Sequence, residues 1–306
     1  MYIGTMIPRQ DEEGLSEVVG FVLLLGVLML ALTVYQAYAV PAQGRSDEIV
    51  HMNGVKDFFL DYKLALDSLW INNAVTVPVS TALDLGTGQA TAPNGWLPFL
   101  SPTASAGSLS IREGDVLVIK TSDHPQGWEI PLGALEYCSE NRYWVDQTWT
   151  YQMGGVFLAQ DGGTTVRLAP LFAVSDLART SASVSITPVH LRGSGLVGGP
   201  GPVRLETRLQ EMPGDQRPYG DHAPVAWVRL SIRSDDPERT VAWTRVLGEA
   251  PAREGVPEEW YQVTHDGNVA SVFIDGPDHG ENKDVSLHVH RADFYASLHG
   301  AAARIE

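Results

Sequence analysis

The stretch Val18 to Val40, VVGFVLLLGVLMLALTVYQAYAV, holds no charged side chain. A helix rises about 1.5 Å per residue, so it reaches roughly 33 Å, enough to cross a hydrocarbon core of about 30 Å. Lipid offers no hydrogen bonds to a bare backbone, so a single segment crosses it as a helix. Tyr35 and Tyr38 stand near its end, where amphipathic rings favour the membrane interface, and Pro41 follows. The stretch is expected to be a membrane-embedded helix in contact with lipid.

Outward from it the chain is different in kind. Of 306 residues, 37 are Asp or Glu and 21 Lys or Arg, a formal net charge of -16. Only Lys56, Lys63, Lys120 and Lys283 are lysines. Such a surface repels phosphate backbones, which argues against a nucleic-acid partner. Cys138 is the one cysteine, so no intrachain disulfide forms, and an exterior domain must be held by packing. Arg9 precedes the apolar stretch while Arg45 and Lys56 follow it, so the positive-inside count gives no orientation.

Residues 46–70 have apolar side chains at Met52, Val55, Phe59, Tyr62, Leu66 and Leu69, a 3-4-3-4-3 spacing that makes one helical seam. The seam is short for a self-sufficient coiled coil and is expected to pack on the chain's own β domain. Asp47 and Glu48 are read as acids at the positive end of that helix. From Val75 short β-branched runs alternate with Gly, Pro, Ser and Asp: VTVPV, SLSI, VLVIK, and residues 143–151, 155–160, 164–169, 182–188, 204–210, 226–232, 269–274 and 284–290. Arg112 to Asp115 (REGD) reads as a connection between two strands, and Gln160 to Thr164 (QDGGT) as a hairpin turn. GSGLVGGPGP, residues 193–202, reads as a loop. Ser234 to Glu238 opens a helix ending at Gly248, with Val241, Trp243, Val246 and Leu247 on its apolar side. The tail RADFYASLHGAAARIE, from Arg291, is expected to be loosely held.

The fold class expected is mainly β: an N-terminal transmembrane helix and helical stalk, then an antiparallel β-sandwich with one short helix. The division is residues 1–14 leader or cytoplasmic segment, 15–40 transmembrane helix, 41–72 amphipathic stalk and 73–306 sandwich domain.

The run Glu13-Gly14-Leu15-Ser16-Glu17-Val18-Val19-Gly20-Phe21 resembles the start of archaeal type IV pilin-like proteins. The resemblance implies that a prepilin peptidase cuts between Gly14 and Leu15. It implies that the helix stays as anchor or filament core, meeting related pilin-type subunits. It also implies that Glu17 can pair with a neighbour's new N-terminal amine. Glu13 stands where that class usually has Lys or Arg. Two later stretches, AYAVPAQGRSDEIVHMNGVKDFFLDYKLALDSLW from Ala37 and TTVRLAPLFAVSDLARTSASVSITPV from Thr164, resemble the juxtamembrane and β-rich regions of archaeal surface proteins with pilin-like N-termini. That resemblance puts the β domain outside the cell and implies no activity.

The chain shows no GxSxG, HExxH, CxxC or Walker motif. No catalytic residue, metal or cofactor is assigned, and the protein is read as non-enzymatic. His288 and His290, two apart on a strand, lie near His279, Asp275, Asp278 and Glu281 in sequence, and a divalent-metal reading is weighed against a polar edge. Cys138 reads as a half-buried structural side chain. Eight tryptophans leave open a tethered adhesin or carbohydrate-binding module, with core packing the plainer use. A membrane-tethered hydrolase would need acids or histidines converging in a cleft.

Overall fold

The computed structural model describes residues 11–75, 77–88, 101–210 and 220–300, with side chains from residue 17 onward. Its axis is one unbroken helical run. Helix α1 (Asp11–Val34) passes through a single π turn, Tyr35–Ala39, into α2 (Val40–Ile71). Pro41 does not end the helix. It lacks an N–H and its ring crowds the carbonyl four residues back, and the wider π turn just before it takes up that misfit. The Val40 N–H reaches back five residues to Tyr35 O.

Seventeen strands follow among the described residues. They are β1 (Pro78–Asp84), β2 (Ala106–Thr121), β3 (Trp128–Glu140), β4 (Thr148–Gln152), β5 (Gly155–Gln160), β6 (Gly163–Leu168), β7 (Phe172–Leu177), β8 (Ser181–Ile186), β9 (Val189–Arg192), β10 (Gly195–Gly199), β11 (Pro202–Leu209), β12 (Gly220–Asp221) and β13 (Val228–Arg233), then, after helix α3 (Pro237–Arg253), β14 (Tyr261–Asp266), β15 (Val269–Ile274), β16 (Val285–Val289) and β17 (Ala292–Gly300). The central sheet runs β14-β15-β13-β2-β3-β4-β5-β6, with β10 also on β2. Flanking sheets run β1-β11-β17-β9 and β12-β16-β8-β7. The fold is mainly β and mostly antiparallel, as expected; β16 with β8 and β17 with β9 are parallel.

The central sheet is buried on both faces at β3, β4 and β5, while β13 and β15 alternate buried with exposed or half-exposed positions. On β4 and β5, Trp149, Tyr151, Val156 and Leu158 enter one core, with the α2 seam and the β1-β11-β17-β9 sheet. Phe157 enters the other, with α3 and the third sheet. On β3 the inward positions change parity midway. Ile130, Leu132 and the partner strand's Leu117 and Ile119 belong to the α3 core; Leu135, Tyr137, Leu109 and Ile111 belong to the α2 core. The switch on β2 is made by a bulge between Arg112 and Asp115, where three steps on β2 match two on β3. REGD is therefore a bulge inside one long strand, and SLSI and VLVIK are its two halves.

Every residue of the anticipated α2 seam is buried on the chain's own domain. Because the helix is continuous, Asp47 and Glu48 do not sit at a helix start. The glycine-rich stretch is not a loop: β10 lies along β2, and a Cβ at Gly193 (φ 141°) would overlap the Ala296 carbonyl of β17. The tail is not loose up to Gly300, because β17 is an interior strand with Ala292, Phe294 and Ala296 buried. Helix α3 is capped by Asp236, whose carboxylate accepts from Glu238 N and Arg239 N, but runs past Gly248 to Arg253 and leaves Val241 exposed. The QDGGT hairpin holds, with Asp161 and Gly162 both at positive φ. Of the loop-rich stretch between VTVPV and SLSI, residues 89–100 lie outside the described residues, as do 1–10 and 301–306.

Candidate functional site

One feature stands apart from the packed domain: the exposed half of the helix. From Val18 to Tyr38 the large apolar side chains point outward unburied, Leu30 at 68% and Tyr38 at 76% exposure among them. The apolar surface goes round the helix and does not form a stripe, which suits lipid on all sides. Thr33, a polar residue inside it, donates its hydroxyl to Met29 O at 2.8 Å, so that group needs no water. This is the one helix among the described residues long and apolar enough to cross a membrane. No charge occurs between Glu17 and Arg45.

Gly14 and Leu15 fall within α1, and Glu17 is exposed on it. Asp11, Glu12 and Glu13 lie ahead of Glu17 within the described part of α1. A cut after Gly14 would bring Glu17 into the first turn.

The helix enters the domain at Gly44. A Cβ there would overlap the Tyr143 ring. One turn on, Glu48 is 1% exposed, and its two carboxylate oxygens accept from Arg142 N at 2.7 Å and Tyr143 N at 2.8 Å. The Arg45 guanidinium lies 4.5 Å above the Trp144 ring. His51, one turn further, has its Nε2 3.1 Å from Tyr137 Oη, which donates to Leu85 O at 2.8 Å. Burial pushes the His51 pKa down, against the Leu85 carbonyl and the Asp84 and Glu48 charges.

A polar cleft of about 90 Å³ opens at the β2 bulge, lined by Arg112, Asp115, Gln152 and Arg239 among others. Arg239 from α3 donates to Glu136 at 2.7 Å and Asp115 at 3.1 Å. Gln152 donates to Asp115 at 2.6 Å and accepts from Trp243 Nε1 at 2.9 Å. Arg112 donates to Glu136 at 2.7 Å, which raises the Arg112 pKa further. Asp115 and Glu136 are each tied to a guanidinium, and Asp236 lies 3.4 Å from Arg239 as well. The members are far apart in sequence, where REGD reads only as a connection between two strands.

The histidines of the metal reading go separate ways. His288 Nδ1 is 2.7 Å from Asp221, holding that carboxyl below its ordinary value, while His290 packs edge-on against Trp70. His279 is paired with Asp275 at 3.8 Å. Among the described residues no three His, Cys, Asp or Glu are grouped to hold a metal ion. Cys138 is half-buried beside Glu136 and Thr148, and burial raises its pKa, which disfavours the reactive thiolate. Trp149, Trp243 and Trp260 are core. Trp128 is stacked by His124 at 4.2 Å, and Trp227 lies on Phe273 at 5.6 Å, so these rings are engaged within the chain.

No family model, curated protein or solved structure matches the chain.

Proposed function

We propose that this is a membrane-anchored, non-enzymatic cell-surface protein built like a type IV pilin-like subunit, with the β domain outside the cell. A single observation carries the reading. One continuous helix is uncharged from Val18 to Gly44, with its large apolar side chains bare up to Tyr38, and forms the core seam of the domain from Met52 to Leu69. An anchor joined this way transmits position and load to the domain through rigid backbone, as a subunit held by its helix requires. The converging acids at the β2 bulge support a structural use, since both are bound to arginines. Prepilin peptidase and like subunits are the partners this reading names, with Gly14, Leu15 and Glu17 as its processing and assembly residues.

The test is the N-terminus and membrane partition of the native protein. Expected are retention in the membrane pellet after alkaline wash and a mature chain starting at Leu15. A mature chain starting near Ala42 would make the helix a discarded signal and overturn the proposal.

A further inference from the structure

We propose that the loop between β3 and β4 is a second membrane-contact element, seated in the lipid headgroup layer beside the emerging helix. The proposal rests on the anchor reading above. Residues 18–44 are uncharged. At about 1.5 Å per residue they reach roughly 40 Å, close to the thickness of a bilayer with its headgroups. Arg45 therefore arrives at headgroup level. The β3–β4 loop meets the helix at that level, with Tyr143 against Gly44 and Trp144 under Arg45.

The loop is fixed there. Buried Glu48 accepts its two backbone N–H groups, and charge-assisted hydrogen bonds of this kind are among the strong ones. Asn141 closes the loop on itself, its N–H donating to Asp146 at 2.7 Å and its side chain to Val145 O at 2.7 Å. Tyr143 accepts from Thr103 N at 3.3 Å. Depth in the bilayer is thus set by the helix and passed to the loop without slack.

The chemistry suits the place. Trp and Tyr present an apolar body and a polar tip, and Arg pairs with phosphate through a planar fork. Arg142 is exposed and Trp144 half-exposed. With Tyr35 and Tyr38 on the preceding turns they make one interfacial belt. Acids nearby are Asp47, Glu140 and Asp146, the last already accepting from Asn141 N. The occupant is the lipid of the bilayer that the helix crosses, because the belt is continuous with the apolar span. The domain is then held at a fixed height and tilt against the membrane, with two points of contact.

The experiment uses the full chain with Cys138→Ser, spin-labelled at one new cysteine and reconstituted in nanodiscs of equal phosphatidylcholine and phosphatidylglycerol. Label positions are Trp144→Cys and, keeping Trp144, Arg142→Cys. Leu28→Cys marks the span, and exposed Ile71→Cys, at the far end of α2, marks water. Collision with oxygen is compared with collision with a soluble nickel chelate. Expected at 142 and 144 is a nickel-to-oxygen ratio several-fold below that at 71 and above that at 28. Glu48→Gln, which weakens the loop's tether, shifts the ratio at 142 towards the value at 71. Ratios at 142 and 144 equal to that at 71, with 28 still shielded, overturn this inference and leave the anchor standing. A water-like ratio at 28 overturns both.

Discussion

Arg239 stands between two carboxylates on different strands, with its own side chain 8% exposed and those of Asp115 and Glu136 at 9% and 6%. Removing one partner of a buried ion pair leaves charge without compensation, at a cost of about 3–5 kcal/mol. Arg239→Met keeps the apolar stem and deletes the charge. It is expected to lower the unfolding free energy by that amount, read in detergent as a lower denaturant midpoint at unchanged slope. Arg112→Met removes a guanidinium that is 58% exposed, and is expected to cost below about 1 kcal/mol. Equal losses for the two would show that burial at the bulge does not set the energetics. Histidine makes the second residue-scale prediction. Burial lowers the pKa of both His51 and His190, with Asp293 pulling His190 the other way. The unfolded chain takes up protons near pH ~6.5, whereas the native chain does so only at lower pH. Stability is therefore constant through this range above about pH 6.5 and falls as the pH drops below it. His51→Gln is expected to flatten that fall; a slope as steep as the parent's would assign the proton uptake elsewhere.

At the scale of elements, what could be read from sequence was what is decided locally. The apolar helix is a matter of composition, and the α2 seam of helical period. The run Val269–Ile274, legible as a strand, is β15 from end to end, and in it Ala270, Val272 and Ile274 alternate with half-exposed neighbours. The β5–β6 hairpin was legible because Asp-Gly tolerates two positive φ values. What could not be read is decided by distant contacts. β3 has no period of two, since it feeds one core through Ile130 and Leu132 and the other through Leu135 and Tyr137. The residues of the β2 bulge are turn-formers, and only the partner strand makes them part of a strand. Glu48 looked like a dipole-complementing acid; its actual partners are backbone groups 94 and 95 residues away, with no local signal. Residues 193–202 look like a loop because their glycines are read as flexibility, when one of them, ahead of β10, answers to crowding. Gly193→Ala puts a Cβ at positive φ and into the Ala296 carbonyl. Expected is a loss greater than about 1 kcal/mol and faster amide exchange along β10 and the end of β17. Gly198→Ala, whose Cβ would have nearest neighbours at 3.8 Å, serves as the control and is expected to cost less.

At the scale of the molecule, two hydrophobic cores lie back to back on one sheet, and this decides how the domain comes apart. Trp243 is fully buried in the α3 core and Leu66 in the α2 core. Separate cores in separate domains would melt separately. Here β2, β3 and β5 place side chains in both, and a strand cannot leave one core while staying in register for the other. The Arg239 cluster, with Trp243 donating to Gln152 on β4, ties α3 to the same strands. Trp243→Ala is expected to cost about 3–5 kcal/mol and Leu66→Ala about 2–5. Both are expected to move one and the same transition, followed by near-ultraviolet dichroism and by amide exchange in each core. Their effects should add when combined, since the two side chains belong to different cores on opposite faces of the sheet. Two resolved transitions, with each substitution moving only its own, would mean that the shared sheet does not couple the cores. Helix α2 then gives the apolar helix a place in this cooperativity. Because its seam is part of one core, pulling on the N-terminal end loads the whole domain at once, and load that frees α2 is expected to unfold the α3 core in the same step.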